Sequence, residues 1–227
     1  MENQQQQKIS AFLFDLNGTI INDMKFHEDA WFSILNDELN AGLSRSEVKA
    51  QMFGKNEELF KRLFGEKYDS ETIAKFSLEK EKKYQEMYRP HMKPIEGFEE
   101  FLKHADSGNI SMAIGTAASP FNVDFAVDNL QIRKYFKTIV DADQVTKSKP
   151  DPEVYLACAR QLNKSPDECI VFEDVPNGAL AAKNAGMKAV IIKSYHQIEE
   201  FDGLDNILFF IDDYRDERLK TLVASED

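Results

Sequence analysis

Cysteine is scarce in this sequence, with Cys158 and Cys169 the two among 227 residues. A disulfide framework is therefore excluded as the organising principle of the fold, and both thiols fall in segments patterned as helix and strand, where packing is their expected role. Apolar runs of membrane-spanning length are missing as well, since a span needs about 20 consecutive apolar residues. Positive charge is in deficit: 28 Lys and Arg stand against 40 Asp and Glu, for a net charge of −12. Such a chain repels phosphate backbones and anionic bilayers, so neither nucleic acid nor a membrane is expected as a partner. Any phosphate it handles needs local cations. The opening MENQQQQ has neither a basic n-region nor an apolar h-region, which makes a reducing cytoplasm the expected location; the expected form is a monomer.

What is present is the profile of a globular protein, 42% hydrophobic and 30% charged, long enough to bury a sizeable core. One stretch organises the rest. In ISAFLFDLNGT, from Ile9 to Thr19, a short apolar, aromatic-rich run stops at an acid and turns on Asn-Gly. The run reads as a strand buried inside a parallel sheet. Asp15 then stands at the strand's carboxyl end, where open α/β sheets bind ligands. Gly18 lets the backbone turn and approach a ligand closely.

Residues 1 to 8 are polar and expected to fray. From residue 24 to 89 the pattern is helical, with Ala30, Trp31, Ile34 and Leu35 at helical spacing and Ser44 with Glu47 as a capping box. Pro90 and Pro94 close this block. Thereafter strand alternates with helix. GFEEFLKHA leads to strand ISMAIG, Ser119-Pro120 starts a helix, and strand KTIV follows. Asp151-Pro152-Glu153 opens another helix before strand CIVF, a helix stopping at Gly186, strand KAVII and strand ILFFI, with the charged tail as helix or coil. The alternation predicts an α/β, Rossmann-like parallel sheet covered by helices on both faces, with an α-helical block inserted after the first strand. The expected domains are a core of residues 1–23 and 90–227 and a helical cap of residues 24–89.

Polar groups then collect at strand ends or in adjacent loops: Asp15, Thr116, Lys149 and the pair Glu173-Asp174. A carboxylate nucleophile, a hydroxyl, a fixed cation and a second acidic site suit phosphoryl transfer through an aspartyl-phosphate. Hard oxygen ligands favour Mg²⁺. Lys149 would balance charge on the transferring group, and Thr116 with the amides that follow, from Ala117 on, would hold its oxygens.

In these residues the sequence resembles the haloacid dehalogenase-like hydrolases, in the branch of β-phosphoglucomutase and similar sugar-phosphate phosphatases. FDLNGT looks like the family's first motif, IGTAAS its second, SKPDPE its third and FEDVPNG its fourth. The resemblance implies Asp15 as nucleophile and metal ligand, Thr116 as phosphate binder and Lys149 as charge stabiliser. It also implies Asp174, with Glu173 beside it, on Mg²⁺, and a cap that closes over the site. The implied activity is hydrolysis of a small phosphorylated metabolite such as a sugar phosphate, with phosphomutase as the alternative.

One position departs from that pattern. The family's usual first motif carries a second aspartate as general acid and base, and this chain has Asn17. The resemblance still allows Asn17 on the metal, because that position coordinates through its backbone carbonyl. An amide cannot exchange the proton, and losing such help slows a step by ~10²- to 10⁴-fold. Three readings stay open: a replacement that keeps shape and blocks turnover, a native variant in which Asp23 or His27 takes the proton, or a site that binds phospho-ligands without catalysing. His27 sits where the mutase has a cap-hinge histidine and is a candidate for substrate binding. The mutase's cap arginine falls at Glu57, and its polar residues after the second motif fall at Ala118 and Pro120, which favours hydrolysis. Lys55 and Lys80 are unmarked candidates for a Schiff base. His91, His104 and His196 read as linker or surface residues, and Tyr84, Met87 and Tyr88 as packing.

Overall fold

The computed structural model describes residues 8–223, so the expectation of fraying for residues 1 to 8 falls almost wholly outside the described residues. Ala11–Phe14 forms strand β1, completely buried. It pairs in parallel with β2 (Ser111–Gly115) on one side and β4 (Cys169–Glu173) on the other. Strands β3 (Thr138–Val140), β5 (Lys188–Ile192) and β6 (Ile207–Ile211) complete a six-stranded parallel sheet in the order β3-β2-β1-β4-β5-β6. The chain thus builds outward from β1 in one direction, then returns and builds outward in the other. That reversal of order opens a crevice at the carboxyl end of β1.

Alternation along the strands divides the core into two layers. Phe12 and Phe14 point to one face, where they stack with Phe98, Phe101, Phe172 and Tyr214. Ala11 and Leu13 point to the other, among Ala113, Val171, Tyr155 and Cys158. Helices α5 (Phe98–Ser107) and α6 (Pro120–Asn129) supply the first layer, and α7 (Glu153–Gln161) and α8 (Pro176–Asn184) the second.

Between β1 and α5 lie the four helices of the inserted block: α1 (Met24–Ser33), α2 (Arg45–Gln51), α3 (Asn56–Phe64) and α4 (Ser70–Tyr88). The block has a core of its own, built from Trp31, Ile34, Leu35, Val48, Leu59, Phe60 and Ile73. Ser44 and Glu47 form the expected capping box, and Asp69 caps α4 by accepting from the Thr72 amide at 2.8 Å. The chain leaves for this block and returns from it side by side: Ile21 bridges to Pro94, and the Ile95 amide donates to the Ile20 carbonyl at 2.8 Å.

Local details differ from the sequence reading at three places. The Ser119 hydroxyl makes no capping bond, although Pro120 does fill the first turn of α6; Ser119 lines the cleft described below. Helix α7 starts one residue late, with Pro152 at its N-terminus and Asp151 accepting from the Glu153 amide at 3.1 Å. The helix read through MKFHEDAWFSILNDELN loosens into a π-helical turn at Ile34–Glu38. The charged tail forms a 3₁₀ segment at Glu217–Leu222. Among the described residues, no helix is long and apolar enough to cross a membrane.

Candidate active site

Because β1 is level with both neighbours, Phe14 lies opposite Ile114 and Phe172. The next residues of the three strands therefore emerge together at the carboxyl edge. Asp15, Asn17, Thr116, Ala117, Lys149, Asp174 and His27 all line one cleft of about 680 Å³, roofed by α1 to α4. Glu173 sits beneath it, with no exposure.

The floor is held by charge. Lys149 Nζ is 2.6 Å from Asp15 Oδ1 and 2.6 Å from Glu173 Oε1. Tyr155 donates its hydroxyl to Glu173 Oε1 at 2.5 Å, while the amides of Asp174 and Val175 donate to Oε2 at 3.0 and 3.3 Å. Both oxygens of Glu173 are thus occupied by protein donors, and its clearest task is to fix Lys149. Asp174 accepts from Thr19 Oγ1 at 3.4 Å and Ser194 Oγ at 3.2 Å. The Thr116 hydroxyl accepts from the Ala118 amide at 3.1 Å, which orders the turn after β2.

Two glycines make room for this arrangement. A Cβ on Gly18 would lie 1.9 Å from Asp174 Oδ2, and one on Gly178 would lie 1.9 Å from Glu173 Oε1. Gly18 also has φ +77°, the left-handed conformation that favours glycine.

Three buried carboxylates, Asp15, Glu173 and Asp174, offer oxygens within 4.8 Å of one another, and Lys149 is the cation bonded among them. Burial pushes the Asp15 carboxyl up to about 7 against the pull of Lys149, with Glu173 adding to the rise. Burial, then the charges of Glu173 and Asp15, lifts Asp174 well above the ordinary carboxylate range. Burial alone would depress Lys149, yet its two carboxylate partners outweigh this and hold it above its usual value. Once all three are ionised, three negative charges against one positive leave an excess that one divalent cation would balance. All-oxygen donors of this kind suit Mg²⁺, so the residues present fit that ion.

Asn17 is not idle. Its amide nitrogen is 2.6 Å from Asp23 Oδ2 and 3.1 Å from His27 Nε2. Around this pair lies a polar network that the sequence reading left unassigned. Tyr84 donates to Asp23 Oδ2 at 2.5 Å and stacks on the His27 ring. Lys80 Nζ is 2.7 Å from His27 Nδ1 and forms an ion pair with Glu81. Glu81 in turn accepts from Asn56 at 2.8 Å and Asn122 at 2.6 Å; burial would raise its carboxyl, but the charge of Lys80, then that of His27 and these two bonds, hold it down at about 2. Of the two lysines considered for a Schiff base, Lys80 is thus ion-paired, and Lys55 donates to the Val145 carbonyl at 2.7 Å. Tyr84 keeps the packing role expected of it, with this bond added. His196, read as a surface residue, lines the cleft with Tyr195. Ser194 and Tyr195 come second and third after the end of β5, at the same edge of the sheet as Asp15, so a search of the loops beyond strand ends would have found them.

Comparison with known proteins agrees with this geometry. The chain is 29% identical over 219 residues to (DL)-glycerol-3-phosphatase 2 of Arabidopsis thaliana, covering 92% of this chain and 90% of that one. It is 27% identical to the fructose-1-phosphate phosphatase YqaB of Escherichia coli, covering 82% and 98%. Among solved structures, a HAD hydrolase of family IA, variant 3, from Entamoeba histolytica superposes with a TM-score of 0.82 at 27% identity, covering 94% of this chain and 99% of that one. β-Phosphoglucomutase from Clostridium difficile shares the fold, with a TM-score of 0.81 at 24% identity over 95% and 97% of the two chains. The model of the family described as haloacid dehalogenase-like hydrolase matches residues 12–192. With its sheet order, its buried acidic floor and that match, the chain belongs to the haloacid dehalogenase-like hydrolases.

Proposed function

We propose that this enzyme is a Mg²⁺-dependent phosphatase that hydrolyses a small phosphorylated metabolite, such as a sugar phosphate, through an aspartyl-phosphate on Asp15. The observation that carries the reading is the 2.6 Å contact of Asp15 Oδ1 with Lys149 in a cleft shared with Thr116 and Asp174. The relatives named for glycerol-3-phosphate and fructose-1-phosphate support the substrate class. On this reading residues 24–89 are the cap, and residues 1–23 and 90–227 the core.

Asp15 attacks phosphorus as the bond to the leaving oxygen breaks, that oxygen taking its proton from solvent because Asn17 has none to give, and water then cleaves the acyl phosphate, losing a proton to solvent as phosphate leaves and the carboxylate is restored. Lys149 stays cationic between Asp15 and Glu173 and offsets charge on the transferring oxygens. Thr116 and the Ala117 amide bind those oxygens. Asp15, Asp174 and the Asn17 carbonyl would hold Mg²⁺, with Glu173 behind them. The ion would supply charge neutralisation and polarise the phosphoryl group. His27 and the roof contact the rest of the substrate.

Phosphomutase is the lesser reading, because a bisphosphate needs a second anion clamp. In the roof Lys80 is paired with Glu81, Lys55 is bound to a carbonyl, Lys49 lies over the Tyr195 ring at 3.9 Å from its centroid, and Glu57 lines the wall. A phosphate-release screen over sugar, polyol and nucleotide phosphates, run with Asp15→Ala beside the parent, tests the proposal. Turnover that survives Asp15→Ala, or no turnover even of an aryl phosphate, defeats it; the second result leaves a phospho-ligand binder.

A further inference from the structure

The loop that delivers Lys149 is gripped from the roof. Ser148, its chain neighbour, donates its hydroxyl to Glu58 Oε1 at 2.8 Å. Three residues before Ser148, the Val145 carbonyl accepts from Lys55 Nζ at 2.7 Å. Both roof residues belong to the start of α3, where Lys55 is the N-cap and Glu58 the third helical residue. The other oxygen of Glu58 accepts from the Lys55 amide at 3.0 Å and closes the first turn of the helix. One carboxylate therefore ties the helix start with one oxygen and the core loop with the other. The turn before α3 is shaped around it: Gly54 has φ +75°, and a Cβ there would lie 2.0 Å from Glu58 Oε2.

The position of the Lys149 ammonium depends on the backbone at residues 148 and 149, and that backbone is anchored through Ser148. We propose that Glu58 is a positioning residue for phosphoryl transfer: when α3 closes on the loop of residues 145–148, its bond to Ser148 locks Lys149 against Asp15. Charge stabilisation is then completed when the roof is shut over a substrate, which excludes water from a site assembled too early. No proton moves in this coupling, because hydroxyl and carboxylate keep their states. The inference rests on the phosphatase reading above.

Ser148→Ala removes the hydroxyl and leaves Glu58 bonded to the Lys55 amide, Ser148→Thr keeps a hydroxyl, and Glu58→Ala removes both ties. Ser148→Ala is expected to lower kcat about tenfold, with KM and Tm nearly unchanged, and Ser148→Thr to recover most of the loss. Glu58→Ala lowers kcat similarly and also lowers Tm, and the double variant is no slower than Glu58→Ala alone. A Ser148→Ala kcat within twofold of the parent, a rise in KM alone, or effects that multiply in the double variant would overturn the proposal. Turnover by the parent protein tests the phosphatase reading separately. Amide exchange at residues 145–149 needs no turnover: it accelerates in Ser148→Ala and in Glu58→Ala if the latch exists, and unchanged exchange overturns it.

Discussion

Asn17 donates its side-chain amide to Asp23 Oδ2 across 2.6 Å, so the residue that replaces the family's usual acid is bonded to another acid. Asp23 is completely buried, and its Oδ2 also accepts from Tyr84. A carboxylate can only accept, which fixes the Asn17 nitrogen toward Asp23.

Asn17→Asp restores a carboxyl that can give and take a proton beside Asp15, so phosphate release should rise by ~10²-fold or more. It also sets two acids against each other where the Asn17 amide now donates to Asp23, so Tm should fall. Unchanged phosphate release would mean that another group already moves the proton.

The acidic floor sets the pH dependence of Mg²⁺ binding. Burial holds the Asp15 carboxyl at about 7, and Asp174 is also raised. Both folded values exceed the unfolded ones, so the metal-free protein loses stability from these groups as pH rises toward and through 7. The ion binds the ionised forms and gains affinity over the same range. Mg²⁺ should raise Tm little at pH 5.5 and clearly at pH 8. Equal shifts at both values would remove Asp15 and Asp174 from the metal site.

Gly18→Ala forces a Cβ to within 1.9 Å of Asp174 Oδ2 at φ +77°. Asp174 has to leave its bonds to Thr19 and Ser194, and the backbone is strained by about 1–3 kcal/mol. The variant should fold with a lower Tm and lose the Mg²⁺-induced rise. Calorimetry with and without the ion decides this, and a retained rise would show that Asp174 is dispensable for binding.

Tyr155→Phe takes one donor from Glu173, a carboxylate with no exposure. Hydrogen bonds to charged groups contribute about 1.5–3 kcal/mol, so denaturant unfolding should show a loss of about 2 kcal/mol. Lys149 remains bonded to both carboxylates, and kcat should fall less than tenfold. A stability unchanged within roughly 0.5 kcal/mol, the spread of an ordinary surface substitution, would mean that the hydroxyl is not needed there.

Much of this was legible in the chain. Ala11 to Phe14 announced a buried parallel strand by being apolar throughout, and the strands after it gave way to Thr116 and Glu173-Asp174 because apolar runs stop where a crevice begins. Lys149 was identified by its motif. What escaped were pairings between elements far apart in the chain, some between roof and floor and some between α1 and α4 of the roof itself. Ser148 and Glu58 are 90 residues apart, Tyr84 and Asp23 are 61, and Lys80 and His27 are 53, so neither periodicity nor local spacing links them. Tyr84 and Lys80 sit on an ordinary amphipathic helix, where an aromatic reads as packing and a lysine as solvated.

The chain's two crossings into the helical block lie against each other, joined from Ile20 and Ile21 to Pro94 and Ile95. Paired tethers of this sort act as a door hinge rather than a ball joint, so the closure proposed above would swing about one axis. Such a swing would bring the same residues of α3 down on the same loop each time, and fidelity of alignment would come from how the chain is threaded before any substrate arrives.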